Sequence, residues 1–351
     1  MVKKFKLIIC LVLTVALMFA ISACTAPADT GGGGGGGGDT ASSTAPEQST
    51  GGGGGIDASD DLYIGVYAIT AHDYFYDHKL GLELAGEAYG VKTEFLGPAD
   101  YNLDEMVNTL EQSIAKKPDG LIVCGFDNIL TPGIDKAMDQ GIPVVTVDAD
   151  LPDSKRLAFT GTGNFGAGQL CAQSLVDMIG GKGKVAIVGQ VLLTNINERA
   201  QGCIDIFDKY PDIEFIDDIV LPEGDDGIAA TKTAALIQKY PDLAGICSLD
   251  GNSGGVATAI RESGKAGEIK VVAFDRSENV LNAIEEGWMS GTVVQQTALM
   301  PWYALTILYN LKHFSVPITT NNDAAGITGL PAYVDTGCVL VTMDNLEYFK
   351  R

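Results

Sequence analysis

Residues 120–148 read GLIVCGFDNILTPGIDKAMDQGIPVVTVD. Gly120–Cys124 is a short unbroken apolar run, Pro132–Gln140 reads as a helix, and Pro143–Val147 is a second apolar run ending at Asp148. Gly141-Ile142-Pro143 separates helix from strand, as a C-terminal glycine followed by a breaker. Apolar runs without polar alternation are the signature of strands buried on both faces of a parallel sheet. Two such runs around a helix make a βαβ unit, the repeating brick of α/β folds.

The same alternation extends in both directions. Upstream, Tyr63–Ala68 and Thr93–Leu96 read as strands, Tyr74–Tyr89 and Leu103–Lys116 as helices. Downstream, strands are expected at Leu157–Thr160, Lys184–Val188, Glu214–Val220, Ala244–Leu249, Lys270–Phe274 and Gly291–Val294. The helices between and after them are Gly166–Ile179, Asn197–Lys209, Ile228–Gln238, Gly254–Ser263, Val280–Glu286 and Pro301–Leu311. So many βα units exceed one comfortable sheet. The expected fold is α/β, two doubly wound parallel-sheet lobes joined by a multi-strand hinge. The first lobe is assigned residues 58–161 plus 296–334, the second 162–295 plus 335–351.

Ahead of the α/β body the composition changes. Lys3, Lys4 and Lys6 precede an apolar stretch from Leu7 to Phe19, and Ile21-Ser22-Ala23 lead into Cys24. This order is that of a secretory signal, expected over residues 1–23, with an apolar core too short for a comfortable membrane span. It resembles a bacterial lipobox, whose cysteine, here Cys24, becomes the acylated first residue; several acyl chains hold a protein stably on a membrane. Residues 24–57 hold the runs Gly31–Gly38 and Gly51–Gly55 among Ser, Thr, Ala and Pro and read as a flexible tether.

Charge narrows the partners. Without the three leader lysines, 20 basic residues stand against 45 acidic ones, a net charge of −25. Nucleic acid and a polybasic membrane patch are both excluded on that balance. Of the seven cysteines, Cys124, Cys171, Cys203, Cys247 and Cys338 remain in the body, without a CxxC. They read as small buried hydrophobes, and neither a disulfide framework nor a metal site is expected.

Ligands in such sheets bind outside the carboxyl ends of the strands. Those positions hold Ala71-His72-Asp73-Tyr74-Phe75, Asp148-Ala149-Asp150, a loop reaching Asn195, Asn197 and Arg199, Asp250-Gly251-Asn252, Asp275-Arg276 and Gln295-Gln296. Carboxylates accept from hydroxyls, arginine and amides donate, and aromatic faces cover C–H surface, which is the chemistry a sugar asks for. At single positions the alternatives stay open. Asp148, Arg199 and Asp275 also read as strand-end charges, Tyr74 and Phe75 as core, Asp250 and Gln295 as capping or hinge residues, and His72 as an exposed loop histidine. His78 and His313 are expected on helix surfaces.

Pro143-Val-Val-Thr-Val-Asp148-Ala-Asp150, Asp153-Ser-Lys-Arg156, Gly161-Thr-Gly-Asn-Phe165-Gly-Ala-Gly168, Asn197-Glu-Arg199-Ala-Gln-Gly202 and Val271-Val-Ala-Phe-Asp275 occur in this order. Together they resemble the type I periplasmic solute-binding proteins of sugar ABC transporters, from Tyr63 to about Val341. The resemblance implies that Tyr74 and Phe75 sandwich a sugar ring and that Asp148, Arg199, Asp250 and Asp275 bond its oxygens. It implies that Gln295 is the hinge-strand glutamine. His72 stands where relatives have Asn, and Ala149 where many have Arg. The Asp-x-Asp is shared with the glucose-type subgroup, so a hexose is favoured over ribose. The implied protein is a lipid-anchored, extracytoplasmic monomer that delivers a monosaccharide to a permease. It is not an enzyme and has no cofactor. The alternative is a sugar or furanose-signal receptor for a membrane sensor.

One motif points elsewhere. Gly161-Thr-Gly163-Asn-Phe-Gly166 matches the dinucleotide-binding GxGxxG, the mark of a dinucleotide-dependent enzyme, but the next strand ends at Val188-Gly189-Gln190 without the acidic residue the ribose needs. It reads instead as a tight turn at the entry to the second lobe.

Overall fold

A computed structural model describes residues 56–350, apart from 218, 223, 315 and 323 and the side chain of Asp73. The expected leader, Cys24 and the tether up to residue 55 lie outside the described residues. In chain order the first part builds β1 (Leu62–Val66), α1 (Asp73–Tyr89), β2 (Lys92–Leu96), α2 (Leu103–Ala115), β3 (Gly120–Cys124), α3 (Thr131–Asp139), β4 (Val144–Val147) and β5 (Ala158–Gly161). There follow α4 (Asn164–Met178), β6 (Gly183–Val188), α5 (Thr194–Phe207), β7 (Ile213–Phe215), α6 (Asp226–Lys239), β8 (Leu243–Ser248), α7 (Ser253–Glu262), β9 (Lys270–Phe274), α8 (Glu278–Glu285) and β10 (Gly291–Gln295). The chain ends with α9 (Leu299–His313), β11 (Tyr333–Asp335) and β12 (Cys338–Val341).

Two six-stranded sheets result, ordered β11-β5-β4-β3-β1-β2 and β12-β10-β9-β8-β6-β7. The first is parallel throughout; in the second only β12, on β10, runs antiparallel. Every residue of β3, β4, β5 and β10 is buried, which the unbroken apolar runs anticipate. Each fully buried Val, Leu or Ile there contributes about 1.5–3 kcal/mol. Local signals set the helix ends: Asn102 accepts from Glu105 N to cap α2, Asp225 from Ile228 N to cap α6, and α1 ends on left-handed Gly90.

The chain crosses between the sheets three times, after β5, after β10 and between β11 and β12. These crossings are tied together. Thr336 N donates to Gly161 O at 2.8 Å, and Gln296 Nε2 to Thr336 O at 2.8 Å. Helix α9 returns to the first lobe, where Met300, Ala304, Leu305 and Leu308 join its core and Thr160 Oγ1 donates to Met300 O at 2.7 Å.

The structure corrects the sequence reading in places. The strand expected over Glu214–Val220 stops at Phe215; beyond it an isolated bridge joins Val220 to Val188. A final crossing segment before Val339 was expected without strand bounds; the structure resolves it into β11 and β12. His78 is not on a surface: it is 0% exposed, ringed by Tyr67, Tyr74 and Phe75 at 5.2–5.5 Å between centroids. Neither of its ring nitrogens has a hydrogen-bond partner. His313 is mostly buried, its Nε2 lying 2.6 Å from Asp61 Oδ2. Among the described residues no helix is long and apolar enough to cross a membrane.

Candidate functional site

Where the carboxyl ends of the strands of both sheets meet, a cavity of ≈ 640 Å³ opens. That volume suits a small ligand with accompanying water. All eight positions singled out from the sequence line it: His72, Tyr74, Phe75, Asp148, Arg199, Asp250, Asp275 and Gln295.

Two carboxylates, one from each sheet, line it. Asp148 follows β4 and Asp275 follows β9, and each strand holds the equivalent place, fourth from the β2 or β7 edge, in its sheet. Both residues adopt left-handed backbone conformations, with φ of 66° and 67°. Outside glycine such conformations are uncommon, and Asp tolerates them better than most residues. Tyr74 donates its hydroxyl to Asp148 Oδ1 at 2.5 Å, and Gln295 Nε2 donates to Asp275 Oδ1 at 2.8 Å. Burial raises the Asp275 carboxyl above its ordinary 3.8, against the pull of Arg199 and Gln295, and Asp148 adds to the rise. Burial likewise raises Asp250, which accepts from Gln190 N at 2.7 Å and Asn252 N at 3.1 Å.

Arg199, only 3% exposed, lies with its guanidinium 4.3 Å from the centre of the Phe274 ring. Nε donates to Asn164 Oδ1 and NH1 to Leu249 O, both at 2.9 Å. Two of its five N–H groups are thus committed, and the remainder are available to a ligand. Tyr74 and Phe75 meet edge to face at 5.0 Å. His72 caps α1, its Nδ1 accepting from Tyr74 N at 3.2 Å, and so fixes where that aromatic pair begins.

Asp150 behaves differently from Asp148. It accepts from both Nε and NH2 of Arg156 and from Thr146 Oγ1, and it does not line the cavity. Only one half of the Asp-x-Asp therefore faces the site.

Asn195, noted among the strand-end residues, lines the cavity, and so do residues the sequence reading missed, among them Tyr101 and Phe126. Another is the ion pair between Arg276, beyond β9, and Asp77 on α1, which bridges the two lobes across the cleft. Arg276 was visible beside Asp275, but its partner, nearly 200 residues away, carried no signal.

The glycine-rich turn has its own explanation. Asp335 accepts from Gly163 N at 2.8 Å, and a Cβ on Gly163 would lie 2.3 Å from Asp335 Oδ2. A carboxylate thus occupies the start of α4, where a pyrophosphate would have to sit.

Comparison with known proteins fits this geometry. The model of the periplasmic binding protein domain matches residues 64–313, most of the described chain. The chain belongs to the periplasmic binding protein family. Within that family, a sugar-binding protein of a sugar ABC transporter from Bacillus halodurans is 34% identical, with a TM-score of 0.77 over 83% of this chain and 100% of that one. AraP, an arabinose binding protein from Geobacillus stearothermophilus, is 33% identical, also at TM-score 0.77 over 83% and 100%. The D-allose-binding periplasmic protein of Escherichia coli K12 is 26% identical over 249 residues, 67% of this chain and 79% of its own. These periplasmic binding proteins are solute binders rather than enzymes.

Proposed function

We propose that this periplasmic binding protein is the extracytoplasmic, lipid-anchored receptor of an ABC transporter and that it binds a monosaccharide, a hexose favoured, in the inter-lobe cleft. What carries the reading is the convergence of carboxylates, a buried arginine, amides and aromatic rings from both lobes on one cavity. Tyr74 and Phe75 cover the ring. Asp148, Asp250 and Asp275 accept from hydroxyls, and Arg199 and Gln295 serve the remaining oxygens, with His72 holding the loop. The names of the relatives, binders of arabinose and allose, support a monosaccharide.

In this account residues 58–161 with 296–334 and residues 162–295 with 335–351 are the two rigid bodies. Closure about the three crossings traps the sugar, as hinge motions do in this class of receptor. Three or four charge-assisted hydrogen bonds at about 1.5–3 kcal/mol each support micromolar affinity once ordering costs are deducted. The closed monomer docks on the permease, and the acylated Cys24 with its tether keeps it at the membrane.

Calorimetry tests the site. Asp275→Ala abolishes sugar binding while leaving the circular dichroism spectrum intact; unchanged affinity contradicts the assignment. For the anchor, Cys24→Ser moves the protein from the membrane fraction to the soluble one, and an unaltered distribution contradicts lipidation. Uptake of labelled sugar lost on deleting the chain supports transport. Uptake retained, with loss of a sugar-induced transcriptional response, supports the sensor alternative instead.

A further inference from the structure

The second lobe holds a feature that the cleft does not use. Cys171 on α4, Cys203 on α5 and Cys247 on β8 bring their Sγ atoms within 4.8 Å of one another, and all three are 0% exposed. They lie 32 and 44 residues apart without ligand spacing, so the sequence reading expected no metal there.

The fold goes to some length to assemble them. Helices α4 and α5 approach so closely that a Cβ on Gly168 would lie 2.0 Å from Arg199 O, and one on Gly202 2.1 Å from Phe165 O. Gly168 lies three residues before Cys171 and Gly202 directly before Cys203, and the two set the closeness of the helices that carry the cysteines. The surroundings are apolar, with Leu175, Ile187, Val272 and Phe274 in the same core. Two of the sulfurs also make weak contacts to backbone oxygens, Cys203 to Gly168 O at 3.2 Å and Cys171 to Val272 O at 3.6 Å.

We infer that Cys171, Cys203 and Cys247 form a buried three-sulfur site for a soft monovalent cation, copper(I). Sulfurs about 2.3 Å from a shared central ion stand about 4 Å apart in a trigonal arrangement, inside the observed limit. Thiolate ligands select soft ions. Structural zinc takes four ligands, and among the described residues no fourth His, Cys, Asp or Glu joins this group. Three sulfurs in a dry pocket match an ion content with three. Arg199 lies one turn before Cys203 on α5 and places a positive charge beside the cluster. Binding releases the thiol protons to solvent. Because the site is buried, the ion enters as the lobe folds.

The test is refolding of the full chain without oxygen, with one equivalent of copper(I) supplied as its acetonitrile complex, followed by challenge with bicinchoninate. The parent retains one copper per chain and shows a sulfur-to-copper charge-transfer band. Cys203→Ser and Cys247→Ser retain it at least about tenfold more weakly, and Cys338→Ser, outside the cluster, behaves as the parent. Copper held equally by Cys203→Ser, no copper held by the parent, or zinc held as tightly under the same challenge overturns the inference. Should the serine variants not fold, X-ray absorption of the loaded parent decides: three sulfur neighbours support the site, and any nitrogen or oxygen neighbour contradicts it.

Discussion

Asp275 carries the conflict between binding and stability most plainly. Its carboxyl is raised by burial, so the unliganded native state holds that proton more tightly than the unfolded chain does. The group therefore favours folding below about pH 3.8 and loses that advantage as pH rises through the raised value. At neutral pH the buried charge costs stability that a sugar's hydroxyl donors offset. Asp275→Asn is thus expected to raise the stability of the unliganded protein at pH 7 by about 0.5–2 kcal/mol while sugar binding is lost. Thermal melts beside calorimetry check both halves, and a variant that binds sugar as the parent does contradicts the role. His78 has the opposite linkage. Burial lowers it from 6.5, so the unfolded chain takes up the proton first and stability falls as the solution is acidified below about pH 6.5. His78→Phe flattens the melting temperature between pH 7 and 5 relative to the parent; parallel curves contradict a buried neutral imidazole. Asp148 and Asp275 were legible in the sequence because each directly follows an unbroken apolar run. His78 was not: α1 is covered by the sheet on one side and α9 on another, and α9 enters more than 200 residues later.

At the scale of elements, the α4–α5 contact is the least forgiving. Gly168→Ala puts a methyl against the Arg199 carbonyl, a contact backbone alone must relieve, and costs about 1–3 kcal/mol or more. Chemical denaturation measures it, and Gly166→Ala on the same helix, where a Cβ meets nothing within 4 Å, serves as the comparison. The shift at Gly168 also moves Arg199, so sugar affinity falls with stability in that variant and not in the other. Buried strands and capped helices could be read from local pattern within a few residues. The pairing of β11 and β12 could not: they are three and four residues long and partly exposed, and what fixes them is the neighbouring strand rather than their own composition.

For the whole molecule, the sequence conveyed two lobes through the number of βα units, and the cleft through the polar residues at their strand ends. It did not convey what spans the cleft. The Arg276–Asp77 pair links α1 of one lobe to the loop beyond β9 of the other. Partly exposed pairs of this kind contribute up to about 1 kcal/mol, so Arg276→Ala weakens sugar binding by up to about fivefold. The change falls on the dissociation rate, read by stopped-flow fluorescence; an unchanged rate contradicts a part in closure.

The central claim is that this cleft binds a monosaccharide. A thermal-shift screen of residues 58–351 against monosaccharides, polyols and nicotinamide dinucleotides tests it most directly. Ligand at 100 times its dissociation constant adds about 2.7 kcal/mol of stability. The account predicts a clear rise in melting temperature with one or two hexoses and none with dinucleotides. A rise with a dinucleotide alone, or no response to any sugar, contradicts it.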